Sequence, residues 1–213
     1  MNPLHFRPHS GIALRAVHAL RGWTAVLTVG ILMTACTLNP AAPPSDSVVR
    51  QTYDVFTLSA RLSASDGSQS STGRLDWEHR MEMDRWTISS PLGQIVAQID
   101  SGPDGAEVLF ANGERRYAPQ VADLVPMLLP GAAEANLPPE RLAAWVQAAP
   151  PSDAEVRTLD AQGRPARLID RGWIIDYLGY RDETPESLPR LVDISRGEFR
   201  LRLVVDRWET ETP

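Results

Sequence analysis

Histidine and cysteine, the side chains behind much nucleophilic and metal chemistry, are scarce in this chain, which has four histidines and one cysteine. His5, His9 and His18 sit near the amino terminus, leaving His79 alone in the body. One histidine and one cysteine cannot build a His-based metal site or a Cys–His dyad. A Ser-His-Asp triad would need His79. That residue falls in Glu78-His-Arg-Met-Glu-Met-Asp84, a polar hairpin-like link in which an exposed imidazole is expected. No phosphate-cradling glycine loop and no G-x-S-x-G elbow occurs. Asp76 and Glu78 alternate with apolar neighbours and should face solvent. The inventory points away from an enzyme and implies no cofactor.

Cys36 stands in a different context. Arg7, Arg15 and Arg21 are the only charges before it. They precede an apolar run of 13 residues, Trp23–Ala35. Such a run is too short to span a bilayer as a helix but suits a signal peptide. Leu32-Met-Thr-Ala-Cys36 resembles a lipobox, with Met33 where Leu is commoner. In such motifs the thiol receives diacylglycerol, the signal is cut before the cysteine, and the new amino terminus is acylated, for instance with palmitate. The weaker alternative is a secretory signal with a chance cysteine. No second cysteine offers a disulfide, and a lone exposed thiol is a liability in an oxidising compartment. Each buried methylene adds about 0.8 kcal/mol, so two or more chains anchor stably. By resemblance to Gram-negative lipoproteins, Thr37, where Asp would favour inner-membrane retention, points to the outer membrane. The expected organisation is a signal over 1–35, a lipidated Pro/Ser-rich tether over 36–50, and one domain over 51–213. Without the three signal arginines, 18 basic residues face 27 acidic ones, a net charge of −9. Such a domain is a poor nucleic-acid binder. No later stretch approaches 18 apolar residues.

Two further groups invite a role. In Ser90-Pro91-Leu92-Gly93, Pro91 suits the second position of a tight turn and Gly93 the fourth. Leu92 is then at the tip, either as an unremarkable exposed leucine or as a wedge into lipid. The aromatic residues Trp77, Trp86, Phe110, Trp145 and Trp173, with Leu201 and Leu203, lie in the apolar phase of their segments. Together they could line a cavity for an oily ligand or fill a core.

Strands must position these residues. Phe56, Leu58, Ala60, Leu62 and Ala64 alternate with polar neighbours, as do Leu75 and Trp77, Trp86 and Ile88, and Phe199 through Val205. Ile95, Ala97 and Ile99 form another inward set, followed by Ala106, Val108 and Phe110. Turn chemistry at Ser89–Gly93, Ser101–Gly105 and Asn112-Gly113 joins such runs into hairpins. Mid-chain, Val121–Leu129 has helical spacing interrupted by Pro126, and Pro138-Pro139 opens a second helix with Leu142, Trp145 and Val146 on one face. The expectation is a mainly β fold: an antiparallel meander of about ten strands, curled into a barrel or half-barrel, with two short helices inserted mid-chain.

In this order the motifs resemble the LolB family. They are the Cys36 lipobox, Phe56-Thr-Leu-Ser-Ala-Arg-Leu62, Gly73-Arg-Leu-Asp-Trp77, Asp84–Gly93, Leu137-Pro-x-x-x-Leu-x-x-Trp145, Gly172-Trp-Ile-Ile-Asp-Tyr177 and Leu201–Trp208. The chain carries Ala148-Ala149-Pro150 where the family usually has Gly before Pro. The resemblance implies an incomplete barrel of about eleven strands, a helical lid and an apolar interior. It implies that acyl chains of cargo lipoproteins are received from a LolA-like periplasmic carrier and passed to outer-membrane lipid by a monomer. It also implies that Pro91-Leu92-Gly93 is the protruding loop that assists insertion. Three acyl chains of roughly 15 methylenes each would lose on the order of 36 kcal/mol in water, so handover between apolar pockets is required. The alternative is an outer-membrane assembly lipoprotein with a packed core that binds a protein partner.

Overall fold

The computed structural model describes residues 49–211; the expected signal segment, Cys36 and the expected tether up to residue 48 lie outside the described residues. The strands are β1 (Val55–Ser65), β2 (Ser70–Arg80), β3 (Met83–Ser89), β4 (Ile95–Gly102), β5 (Gly105–Phe110), β6 (Arg115–Ala118), β7 (Glu155–Leu159), β8 (Pro165–Asp170), β9 (Trp173–Tyr180), β10 (Pro189–Arg196) and β11 (Phe199–Thr210). They form one antiparallel sheet in the order β6-β5-β4-β3-β2-β1-β11-β10-β9-β8-β7. The edges β6 and β7 do not pair with each other, so the expected half-barrel is open.

Period-two patterning builds this sheet. In β1 every apolar position from Phe56 to Ala64 is buried. In β11 the phase holds from Phe199 to Val205, then Asp206 and Arg207 both point outward before Trp208 turns in. A bulge opposite Ser59 and Ala60 supplies the extra residue. Gly73 is needed because an added Cβ would sit 2.6 Å from the Ser89 carbonyl oxygen of the neighbouring strand. The outer face is laced by arginine–aspartate pairs directly across strands: Arg85–Asp100, Arg167–Asp176 and Arg202–Asp193. These pairs are exposed, and each contributes about 0–1 kcal/mol.

A roof of short segments covers the inner face. Where helical spacing was expected over Val121–Leu129, Pro126 prevents a continuous α-helix, and two 3-10 turns form instead, Val121–Asp123 and Val125–Met127. A one-turn helix, α1 (Ala132–Ala135), follows between Gly131 (φ 75°) and Asn136 (φ 53°). Helix α2 (Pro139–Val146) starts with proline at its first position and buries Leu142, Trp145 and Val146, as expected. The antiparallel order puts the chain's arrival at β1 and the β3–β4 connection at opposite ends of the sheet.

Candidate functional site

The interior holds two aromatic clusters. Phe56 lies between Trp208 (ring centroids 5.4 Å apart) and Trp77 (5.2 Å), and Trp77 continues to Trp86 (5.6 Å). The second joins Trp145 of α2 to Trp173 and Trp173 to Phe199, each 5.7 Å apart. All but the tilted Trp145–Trp173 pair meet edge to face, an arrangement that adds about 0.5–1.5 kcal/mol beyond burial. Of the residues proposed to line a cavity, Trp77, Trp86, Trp145, Trp173, Leu201 and Leu203 are buried and Phe110 is half-buried. In this conformation they belong to one packed core. A cavity of about 910 Å³ lies elsewhere, among the strand-end residues Met83, Asp100, Pro103 and Tyr117. A smaller one of about 330 Å³ lies between Gln120, Val121, Pro139 and Asp84.

Polar groups inside the apolar shell fix α2. The Trp145 indole donates to Asp170 at 2.8 Å, and Tyr177 donates its hydroxyl proton to the Trp145 carbonyl at 2.9 Å. Arg141 binds Asp153 through both terminal nitrogens at 2.8 Å and approaches Asp170 at 3.5 Å. Arg141 and Arg171 together hold the Asp153 carboxyl well below the usual carboxylate range. At the other end of α2, Gln147 is buried and makes a reciprocal amide pair with the Tyr53 backbone, at 2.8 and 3.3 Å. Arg50 donates to the carbonyls of Gln147, Pro185 and Ser187 and lies over the Tyr180 ring. Sequence reading missed Asp170, Gln147 and Arg50. A signal existed for the first two: a lone carboxylate closing Arg167-Leu-Ile-Asp170, and a lone amide within Ala143–Ala149. Among the described residues, three buried side-chain polar atoms have no partner: Asp170 Oδ1, Trp86 Nε1 and Arg50 Nε. Such an atom costs about 1–3 kcal/mol.

His79 departs from expectation. It lies within β2, not in a polar link, and its side chain is 13% exposed. It stacks on Phe56 at 4.8 Å and shares Asp84 with the Trp77 indole, at 2.7 and 2.6 Å respectively. The link proved to be two residues long, Met81-Glu82, so the inward phase Leu75–Trp77–His79 continues to the strand end.

The β3–β4 connection forms as its composition dictates. The Gly93 amide donates to the Ser90 carbonyl at 2.8 Å, which places Pro91 and Leu92 at the two central turn positions. Gly93 takes φ 84°, and Leu92 is 90% exposed. A register shift between Ile88 and Ser89 turns Ile95 out of the core, contrary to the simple alternation. Ile95 and Val96, the first two residues of β4, are exposed. Fourteen residues from Trp86 to Ile99 carry no charge.

The family model for the outer membrane lipoprotein LolB matches residues 54–208. The chain belongs to the LolB family. A LolB from Azoarcus sp. (strain BH72) is 46% identical over 180 residues, covering 84% of this chain and 91% of that protein. One from Dechloromonas aromatica is 34% identical over 197 residues, covering 90% and 98%. Among solved structures, a LolA superfamily protein from Nitrosomonas europaea overlays with a TM-score of 0.48 and 8% identity, covering 78% of this chain and 90% of that one. LolB membership makes this chain a lipoprotein of the outer-membrane type by relationship.

Proposed function

We propose that this LolB-family chain, cut before Cys36 and lipidated there, is held on the periplasmic face of the outer membrane. There it accepts acylated lipoproteins from a LolA-like carrier and inserts them into the bilayer. The observation that carries this reading is an open sheet whose inner face is predominantly apolar, with His79, Ser89 and Asp170 as its polar exceptions, and is covered only by short segments. Displacing those segments offers an alkyl chain a surface of Trp, Leu and Ile in place of water, at about 25 cal/mol per Å² of apolar area covered. Transfer then needs only that each acceptor bind the chain more favourably than its donor. Leu92, beyond the end of β3, is assigned the contact with lipid, and the buried Trp77, Trp86, Trp145, Trp173, Leu201 and Leu203, with Phe110, the contact with acyl chains.

The reading is tested by mixing the full chain in phospholipid nanodiscs with a carrier loaded with acylated lipoprotein. Cargo should leave the carrier for the discs faster than with empty discs; equal rates would end the receptor reading. A second reading, a scaffold with a solid core, is favoured by the packing of the interior tryptophans. It predicts no cargo movement in the same assay.

A further inference from the structure

The roof divides into two parts held by different forces. Helix α2 is bolted down by directional bonds: Arg141 to Asp153, Trp145 to Asp170, Tyr177 to the Trp145 carbonyl, and Gln147 to Tyr53. Residues 120–137 are held otherwise. Their backbone hydrogen bonds run among themselves, as from Leu124 to Val121, Leu128 to Val125 and Leu137 to Ala132. Among the described residues, one side-chain hydrogen bond ties this segment to the sheet, from exposed Arg196 to the Ala135 carbonyl at 3.3 Å. Its remaining hold is apolar: Leu124, Val125, Ala132 and Leu137 are buried in the core.

We propose that residues 120–137 are a flap whose buried side chains occupy the acyl-chain site, and that an incoming alkyl chain replaces them while α2 stays as a fixed wall. The inference rests on the receptor reading above. An alkyl chain is a like-for-like substitute for Leu124, Val125 and Leu137, because both sides of the exchange bury hydrocarbon and no buried polar bond is broken. Lifting α2 instead would strand the Trp145 indole, the Asp170 carboxylate and the Gln147 amide, each at a cost the flap does not carry. Gly131 and Asn136 hold positive φ and bracket the one-turn helix α1 within this segment. The 330 Å³ cavity lies at the seam where Gln120–Ala122 meet Pro139 and Glu140, so the two parts are not packed flush.

The test uses the full chain in phospholipid nanodiscs, followed by hydrogen–deuterium exchange and by photolabelling with a palmitoylated peptide carrying a diazirine on its alkyl chain. Amides of 121–137 should exchange about tenfold or more faster than those of 141–149, as expected for a sub-global opening. The label should fall on the flap and on the sheet beneath it. Arg196→Ala, a surface change, should speed flap exchange about fivefold, the weight of one hydrogen bond, and leave α2 unchanged. If α2 and the flap exchange together, or if labelling requires α2 to open, the two-part roof is wrong while the receptor reading survives. If the interior takes no label although the flap opens, the receptor reading fails and the acyl site with it.

Discussion

Leu92 is held where a leucine has nothing of its own to pack on: Pro91 sets the turn and Gly93 closes it in a left-handed conformation. Full burial of such a side chain contributes about 1.5–3 kcal/mol, so its exposure is a standing cost that contact with hydrocarbon would recover. Ile95 and Val96 are exposed as well, and the absence of charge from Trp86 to Ile99 removes the penalty for approaching lipid. Leu92→Glu leaves every backbone bond of the turn in place, so the melting temperature should not change. If the tip enters the bilayer, delivery of cargo to liposomes should slow on the order of tenfold, with uptake from the carrier unaffected. Liposome flotation of delivered cargo measures the difference. Identical delivery by mutant and parent would remove Leu92 from insertion.

At the level of elements, the β2–β3 hairpin shows a local conflict that can be relieved. Its two-residue loop puts Met81 at φ 55°, a conformation glycine adopts freely, and the Met81 side chain is exposed. Met81→Gly relieves about 1–2 kcal/mol of left-handed strain against about 0.5–1 kcal/mol of added chain entropy. A net gain of about 0.5 kcal/mol is expected in urea denaturation; a loss of stability would show that Met81 contributes contacts its exposure does not reveal. The β3–β4 hairpin was legible because period-two patterning and turn residues act locally: β1, β3 and the Ser90–Gly93 turn follow from adjacent residues alone. The bulge that turns Ile95 outward was not legible, since it depends on pairing with β3. His79 was misplaced because charged neighbours suggested a loop, whereas cross-strand stacking on Phe56 decided its position. Helix α2 was foreseen from its prolines and apolar face. Its bolts were not, because Asp170 and Tyr53 meet Trp145 and Gln147 only after the sheet has folded.

Over the whole molecule, the first and last strands pair at the centre of the sheet, so the region that seats α2 assembles only when the chain is complete. Tyr177 and Tyr180 sit in that region: one hydroxyl bonds the Trp145 carbonyl and the other the Pro165 carbonyl. Burial pushes the ionisation of both well above the ordinary tyrosine range. In the unfolded chain these phenols ionise near pH 10. Below that value both states hold the same protons, and the stabilisation is fully present. Above it the unfolded chain loses protons that the folded chain keeps, so stability falls as pH rises toward the raised folded values. Each tyrosine contributes a slope of about 1.4 kcal/mol per pH unit. Urea midpoints followed by tryptophan fluorescence should therefore be steady from pH 8 to about 10 and drop steeply beyond. Tyr180→Phe loses one hydrogen bond and should be less stable at pH 8, yet its decline above pH 10 should be shallower by about one proton's slope. A variant that falls as steeply as the parent would place the alkaline sensitivity elsewhere in the protein. A variant with the shallower slope would tie it to the Tyr177–Tyr180 pair on which the carboxyl end of α2 rests.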